Sequence, residues 1–356
     1  PLRPLVAQVT DVPRLAAPVL ALIARIAPER VDAEAWRAVQ ARLAAGAPGG
    51  AVPAIRRLAR LLAWAEVRYS PLAHWALNAA VAWDAGLLAR LDAWRRTAGM
   101  GVPVWLDALA DGEGMIALAT LAHEHPDWTF PEVDDAPGGP DAPTLDARAL
   151  AHPLLAAATR VGNDVRLGGA GSLLVVSGSN MAGKTTLLRA IGANVLLAQA
   201  GGPVCAAHMR WRRVRVRTSV QVHDALEAGV SLFLAELQRI KAIVDDAAAP
   251  PGASTDAPVL YLLDEVLHGT NSHDRRAATR AVLARLAGHG AVGVVTTHDL
   301  ELADEPALAP ATVHRHFRER YTTGANGPRM TFDYVARPGR ASTANALALL
   351  EALGLS

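Results

Sequence analysis

The chain has 356 residues, enough for two domains with separate cores, and its 35 basic and 34 acidic side chains leave a formal net charge of +1. That balance argues neither for nor against a nucleic-acid partner, because a basic stripe can sit inside a neutral total. The lone cysteine, Cys205, excludes an internal disulfide and points to a reducing, cytoplasmic setting. Hydrophobic residues make up 51% of the chain, with alanine prominent, while aromatic residues reach only 4%, the profile of a helix-rich soluble protein.

In chain order, the longest apolar run near the N-terminus, Leu15 to Ile23, lies between Arg14 and Arg25. It falls well short of the roughly 20 residues a membrane-spanning helix needs. The first residue is Pro1 rather than Met and no signal peptide is visible, which is what a fragment of a longer protein would show. No repeat of fixed period is evident. Residues 1–148 read as a helical domain. From Ala54 to Tyr69, Ile55, Leu58, Leu62 and Ala65 recur at helical spacing, opposite Arg56, Arg57 and Arg60. From Trp75 to Arg96, Leu77, Val81, Leu88 and Leu91 do the same, and Asp84 falls on or at the edge of that apolar face, where it needs a basic or hydrogen-bonding partner if buried. Seven of the eight tryptophans lie in this half and are expected in its core and helix contacts.

The Pro/Gly/Asp-rich stretch from Asp134 to Asp141 reads as a loop, and after it the pattern changes. Residues 149–356 form the second expected domain. Ser172–Val176, Val259–Leu263 and Ala291–Val295 are short apolar runs of the kind found in buried parallel strands, separated by helical patterns over Thr185–Ala200 and Asp274–Ala287. Alternation of this kind predicts an α/β fold with a mostly parallel sheet covered by helices. A low-complexity loop, Ala247 to Pro258, precedes the middle strand. The densest basic run, Arg210-Trp211-Arg212-Arg213-Val214-Arg215-Val216-Arg217, alternates like an edge strand and reads either as a solvated strand face or as a contact to a phosphate backbone.

Directly after the first strand stands Gly178-Ser179-Asn180-Met181-Ala182-Gly183-Lys184-Thr185, followed by Thr186. It satisfies G-x-x-x-x-G-K-[ST] at every fixed position, between a strand and a helix. Glycines let the backbone fold into a nest of N–H groups for phosphate, and the following helix adds its positive end. Lys184 is expected to reach the β- and γ-phosphates of a nucleoside triphosphate such as ATP, and Thr185 to ligate Mg²⁺. The second strand ends in Asp264-Glu265, where Asp264 would hold Mg²⁺ beside Thr185 and Glu265 would orient and deprotonate the attacking water. The third runs into Thr296-Thr297-His298-Asp299, and His298 is placed to touch the γ-phosphate. His123-Glu124-His125 is the nearest approach to a metal-ligand set and has poor spacing for one.

This order of motifs resembles that of ABC-type ATPases, but Leu-Ser-Gly-Gly-Gln is absent. Ser179-Asn180-Met181-Ala182-Gly183-Lys184-Thr185-Thr186 is similar to the loop of the MutS DNA-repair family, which usually has Pro at the place of Ser179 and Gly at that of Ala182. Asp224 to Phe233, Gly269 to Asp274, and Phe332 to Gly339 resemble further segments of that family, as do His152-Pro153-Leu154 and Val161-Gly162-Asn163-Asp164. These last two look like the lead-in strand that borders the adenine, which implies a base contact at Val161. The resemblance covers about residues 150–356 and looks closest to short MutS-related proteins without the mismatch reader; residues 1–150 fit a remnant of the family's helical core and lever. It implies two ATPase domains meeting head to tail in a homodimer, with Ser231 of one subunit facing the γ-phosphate held by the other. Ser231 also reads as a cap of its own helix, and the two roles are compatible. The implied function is a nucleotide-switched ATPase that clamps or remodels DNA. An assembly or signalling switch with no DNA contact is the reading from a different class, and another ABC-type ATPase is the third.

Overall fold

The computed structural model describes residues 12–134, 142–220, 232–249, 257–267, 272–298, 308, 311–324 and 327–341. The chain forms two compact units, Pro1–Thr120 and Leu121–Ser356. The division lies upstream of the boundary expected at 148, because strands on both sides of that position pair within the second unit.

The first unit is helical. Its elements are α1 (Val12–Ile26), α2 (Glu34–Ala44), α3 (Ala51–Ala65), a 3₁₀ turn (Glu66–Tyr69), α4 (Pro71–Val81), α5 (Trp83–Ala98) and α6 (Gly101–Glu124), the last running four residues into the second unit. The expected apolar stripe of α3 lies against the core through Ile55 and Leu62, with Ala54 and Leu61 beside them. Trp94 and Trp105 are buried in this core, and their indole N–H groups donate to Ala54 O and Ala45 O, each at 2.8 Å. Those bonds offset the cost of burying a polar indole edge. Trp64 and Trp75 are exposed, so the expectation that the tryptophans are core residues does not extend to them.

The single pattern read over Trp75–Arg96 is two helices. Ala82 adopts a left-handed backbone (φ +47°), and Asn78 Oδ1 accepts the backbone N–H of Asp84 at 3.0 Å, capping α5 from the end of α4. The break rotates the second half of the pattern. Val81 and Leu88 are exposed, and Leu87, Trp94 and Ala98 face the core instead. Asp84 is half-buried in the first turn of α5, where a carboxylate suits the helix dipole. Its partners are His74 Nε2 at 3.1 Å and Asn78 Nδ2 at 3.1 Å.

In the second unit, β4 (Leu173–Ser177), β6 (Arg215–Ser219), β7 (Val259–Asp264), β8 (Val292–Thr297), β9 (Thr312–His316) and β12 (Arg337–Pro338) form one sheet. Its order is β12-β9-β4-β8-β7-β6, parallel throughout except for β12. Both faces are covered. Leu174, Val176, Leu260, Leu262, Val292 and Val294 pack in one core with α7 (Lys184–Gln199). Leu173, Val175, Tyr261, Leu263 and Val295 pack in the other with α8 (Leu232–Ala247) and α9 (Ser272–Gly288). Burial on two faces is why these strands read as unbroken apolar runs rather than alternating ones.

At one place the sheet admits no side chain. An added Cβ on Gly293 of β8 would stand 1.9 Å from the ring of the fully buried Tyr261, its partner across the ladder on β7.

A second sheet, in the order β1-β5-β2-β3, was not anticipated. It comprises β1 (Glu132–Val133), β2 (Leu145–Leu150), β3 (Asn163–Leu167) and β5 (His208–Trp211), with β2 antiparallel to both its neighbours. Leu145, Leu150, Val165, Leu167, Met209 and Trp211 join the core that contains α7, so this helix shares its core with both sheets. The remaining strands, β10 (Glu319–Gly324) and β11 (Gly327–Phe332), form an antiparallel hairpin.

The basic run Arg210–Arg217 is therefore not one edge strand. Its first residues belong to β5 in the small sheet and its last to β6, the edge of the large one. Carboxylates match the charges: Asp134 lies 3.3 Å from Arg210 and 3.4 Å from Arg212, while Asp246 lies 2.6 Å from Arg215 and 3.0 Å from Arg217. Among the described residues no helix is long and apolar enough to cross a membrane.

Candidate functional site

Parallel pairing of β4, β8 and β7 sets the C-terminal ends of three strands side by side. Ser177 pairs with Thr297, and Thr296 with Asp264, so the segments that follow β4, β7 and β8 emerge on one edge of the sheet. This is the edge at which open parallel sheets place their ligands.

The Gly178–Lys184 loop turns through left-handed backbone at Met181 (φ +66°) and Gly183 (φ +109°) before α7 begins at Lys184. Gly183 is favoured by its backbone: its φ disfavours any side chain, while a Cβ there would make a tight 3.3 Å contact with the ring of Tyr334 and an ordinary one, 3.5 Å, with that of Phe317. Ala182 turns inward, and its side chain belongs to the core rather than to the loop's open face.

Lys184 is only 4% exposed. Its ammonium donates to Gly178 O at 2.9 Å and Ser179 O at 3.0 Å, and lies 3.5 Å from Glu265 Oε1. Desolvation lowers its pKa, and the charges of Glu265, Asp264 and Glu319 act in the opposite direction. The Thr185 hydroxyl lies 3.0 Å from both carboxylate oxygens of Asp264, and the Thr296 hydroxyl donates to Asp264 Oδ1 at 2.5 Å.

Glu265 follows in a left-handed conformation (φ +48°), its N–H donating to Thr296 O at 3.2 Å and Thr296 Oγ1 at 3.1 Å. Glu236, a buried carboxylate on α8, accepts the Leu267 N–H at 2.7 Å and pins the turn that follows. His298 Nε2 sits 2.9 Å from Glu265 Oε1, 2.9 Å from Asn180 Oδ1 and 3.3 Å from Lys184 Nζ. Two acceptors and one donor thus compete for a single ring nitrogen, so an anion entering the cluster would redistribute these bonds.

The oxygen set Thr185, Asp264 and Thr296 fits a small hard cation of the Mg²⁺ type, which takes one or two carboxylates and completes its shell with water and phosphate. Among the described residues no group of three or more His, Cys, Asp and Glu side chains is placed to hold a metal ion.

Beside the loop lies a cavity of about 380 Å³. Val161, Met181, Gly183 and Thr186, all singled out from the sequence, line it together with His152 and Tyr334. Sequence reasoning gave no site role to Thr296, Glu319, Phe317 or Tyr334. Glu319 accepts the Ser179 hydroxyl at 2.9 Å from the start of β10, a contact no local motif announces. Tyr334 stands inside the Phe332–Gly339 segment, so its position was marked although its contact was not. Ser231 lies outside the described residues, together with Asp224–Val230, Gly269–Asn271 and Asp299.

Residues 174–355 match the model of MutS domain V. The chain is 37% identical over 210 residues to an endonuclease MutS2 of Thermomicrobium roseum, covering 56% of this chain and 25% of that protein. It is 33% identical over 254 residues to a DNA mismatch repair protein MutS 2 of Halobacterium salinarum, and 31% identical over 252 residues to a DNA mismatch repair protein MutS of Natronomonas pharaonis, in each case covering 70% of this chain and 27% of the relative. The chain thus spans about a quarter of the length of these relatives. With the loop, the acidic strand end and the histidine all inside the matched segment, the chain belongs to the MutS family.

Proposed function

We propose that the second unit binds Mg·ATP and hydrolyses it to ADP and phosphate, and that the nucleotide state switches a homodimer acting on DNA. The observation that carries the ATPase reading is the convergence of Lys184, Thr185, Asp264, Glu265 and His298 on one sheet edge. In this reading Lys184 and the loop from Gly178 to Thr186 hold the phosphates. Thr185 and Asp264 hold Mg²⁺, which when bound supplies charge neutralisation at the phosphates. Glu265 accepts the proton of the attacking water, and His298 exchanges Glu265 for the γ-phosphate as its hydrogen-bond partner. The cavity lined by Val161 and Tyr334 takes the base.

Dimerisation through composite sites, with Ser231 reaching the nucleotide of the partner subunit, belongs to the same proposal. Action on DNA is supported by the names of the relatives, a MutS2 endonuclease and two mismatch-repair proteins. One observation favours the second reading, an assembly or signalling switch without DNA. Four arginines of the densest basic run are matched by Asp134 and Asp246, which weakens that run as a contact to a phosphate backbone.

Lys184→Ala tests the core of the proposal. It is expected to abolish Mg²⁺-dependent ATP hydrolysis by removing the buried ammonium from the loop. Hydrolysis at the wild-type rate in a contaminant-free preparation would show that the site is misassigned. Salt-dependent binding to duplex, branched and single-stranded DNA, with and without a non-hydrolysable ATP analogue, separates the two readings of the switch.

A further inference from the structure

Two segments far apart in the chain contribute to the lining of the 380 Å³ cavity: one with Thr159, Val161 and Asn163, leading into β3, and the stretch after β11 that contains Tyr334. One side chain ties them together. Asn163 is 8% exposed, and its Nδ2 donates to Tyr334 O at 3.0 Å and, at the limit of hydrogen-bonding distance, to Val161 O at 3.5 Å. Its Oδ1 accepts the Ala336 N–H at 2.6 Å. The amide therefore uses both ends and grips the backbone on either side of Val335.

The residue it grips is strained. Tyr334 has φ +56°, a left-handed conformation that a bulky side chain rarely adopts and that persists only where its surroundings impose it. The backbone sets the direction of the ring, and the ring lies against Gly183 of the phosphate loop, where an added Cβ would meet it at 3.3 Å. Asn163, itself among the lining residues, thus holds the backbone that carries the Tyr334 ring, while the groups that would meet phosphate (Lys184, Thr185, Asp264, Glu265 and His298) are held by other bonds.

We infer that Asn163 is a positioning residue for the nucleoside end of the site: by clamping the Val161 and Tyr334 segments it sets affinity for the base, and it leaves phosphate binding and the chemical step untouched. The inference rests on the ATP reading of this cavity.

Asn163→Asp is the sharp test, because it keeps the acceptor for Ala336 and replaces the donor facing two carbonyls with a second acceptor. In the full chain, equilibrium binding of ATP, ADP and inorganic tripolyphosphate, all with Mg²⁺, is measured alongside KM and kcat. The expected result is a rise of about tenfold or more in the ATP and ADP Kd and in KM, the scale of losing a buried hydrogen bond and leaving its partners unpaired. The tripolyphosphate Kd and kcat are expected to stay within about twofold. Asn163→Ala, which removes the clamp without placing a charge under the carbonyls, is expected to show the same split and serves if the aspartate variant does not fold. ATP and tripolyphosphate weakening in parallel would mean a merely structural asparagine, and unchanged ATP affinity would mean no clamp at all. Either overturns the inference. A wild-type protein that binds tripolyphosphate but not ATP would remove the base reading itself, and one that binds neither would remove the nucleotide site, so the two failures are told apart.

Discussion

Replacing Glu265 by Gln separates catalysis from binding. The main chain at Glu265 is held by two bonds to Thr296, at 3.2 and 3.1 Å, so the amide takes the place of the carboxylate without moving the turn. The proton acceptor and one negative charge, 3.5 Å from the Lys184 ammonium, are lost, and the 2.9 Å contact of Oε1 with His298 Nε2 passes to an amide. Loss of a general base slows the chemical step by roughly 10²–10⁴-fold, which at about 1.4 kcal/mol per decade raises the barrier by about 3–5 kcal/mol. Binding should move the other way or stay level, because a carboxylate beside the triphosphate is a like-charge neighbour and its removal relieves repulsion. Single-turnover hydrolysis should therefore fall at least about 100-fold while the Kd for Mg·ATP stays within about threefold or tightens, and the ATP-bound dimer should accumulate. A variant that lost ATP affinity by more than about tenfold, with the residual rate explained by poor occupancy, would make Glu265 a ligand or structural residue. A hydrolysis rate within about threefold of wild type would remove it from the mechanism.

Two further outcomes follow from the packing and from the dimer. The Tyr261 hydroxyl is buried with no hydrogen-bond partner among the described residues, and such an orphan costs about 1–3 kcal/mol. Tyr261→Phe should accordingly stabilise the second unit by about 1 kcal/mol, read as a higher urea midpoint at unchanged slope; a lower midpoint would reveal a partner for the hydroxyl. If Ser231 acts across the dimer, Ser231→Arg should leave ATP binding nearly intact but block dimerisation and hydrolysis. Mixing it with Lys184→Ala should then restore part of the activity, since a heterodimer has one site with both lesions and one with neither. Flat activity at every mixing ratio, with heterodimers shown to form, would leave Ser231 as a helix cap.

The sequence by itself determined the parts of this protein that depend on neighbours along the chain. The phosphate loop is one continuous stretch, Gly178 to Thr185, whose residue types are dictated by the turn it makes, and it could be read without any knowledge of packing. The three runs that became β4, β7 and β8 were legible for a related reason. Burial on both faces leaves a strand no polar side, and the ends of such strands carry the chemistry. Local spacing failed where a single side chain redirected the backbone: Asn78 and the left-handed Ala82 split one helical pattern into α4 and α5, and the turn between them moved the buried face. It failed again at Arg210–Arg217, because an alternating run looks the same whether it lies in one sheet or passes from one to another, and only strand pairing distinguishes the two. Tertiary structure alone decided who meets whom: His74 with Asp84, Ser179 with Glu319, and Asn163 with Tyr334 across 171 residues. Contacts of that kind arise from the register of strands and the closing of two cores, and a polar side chain carries no local mark of the distant backbone it will bind.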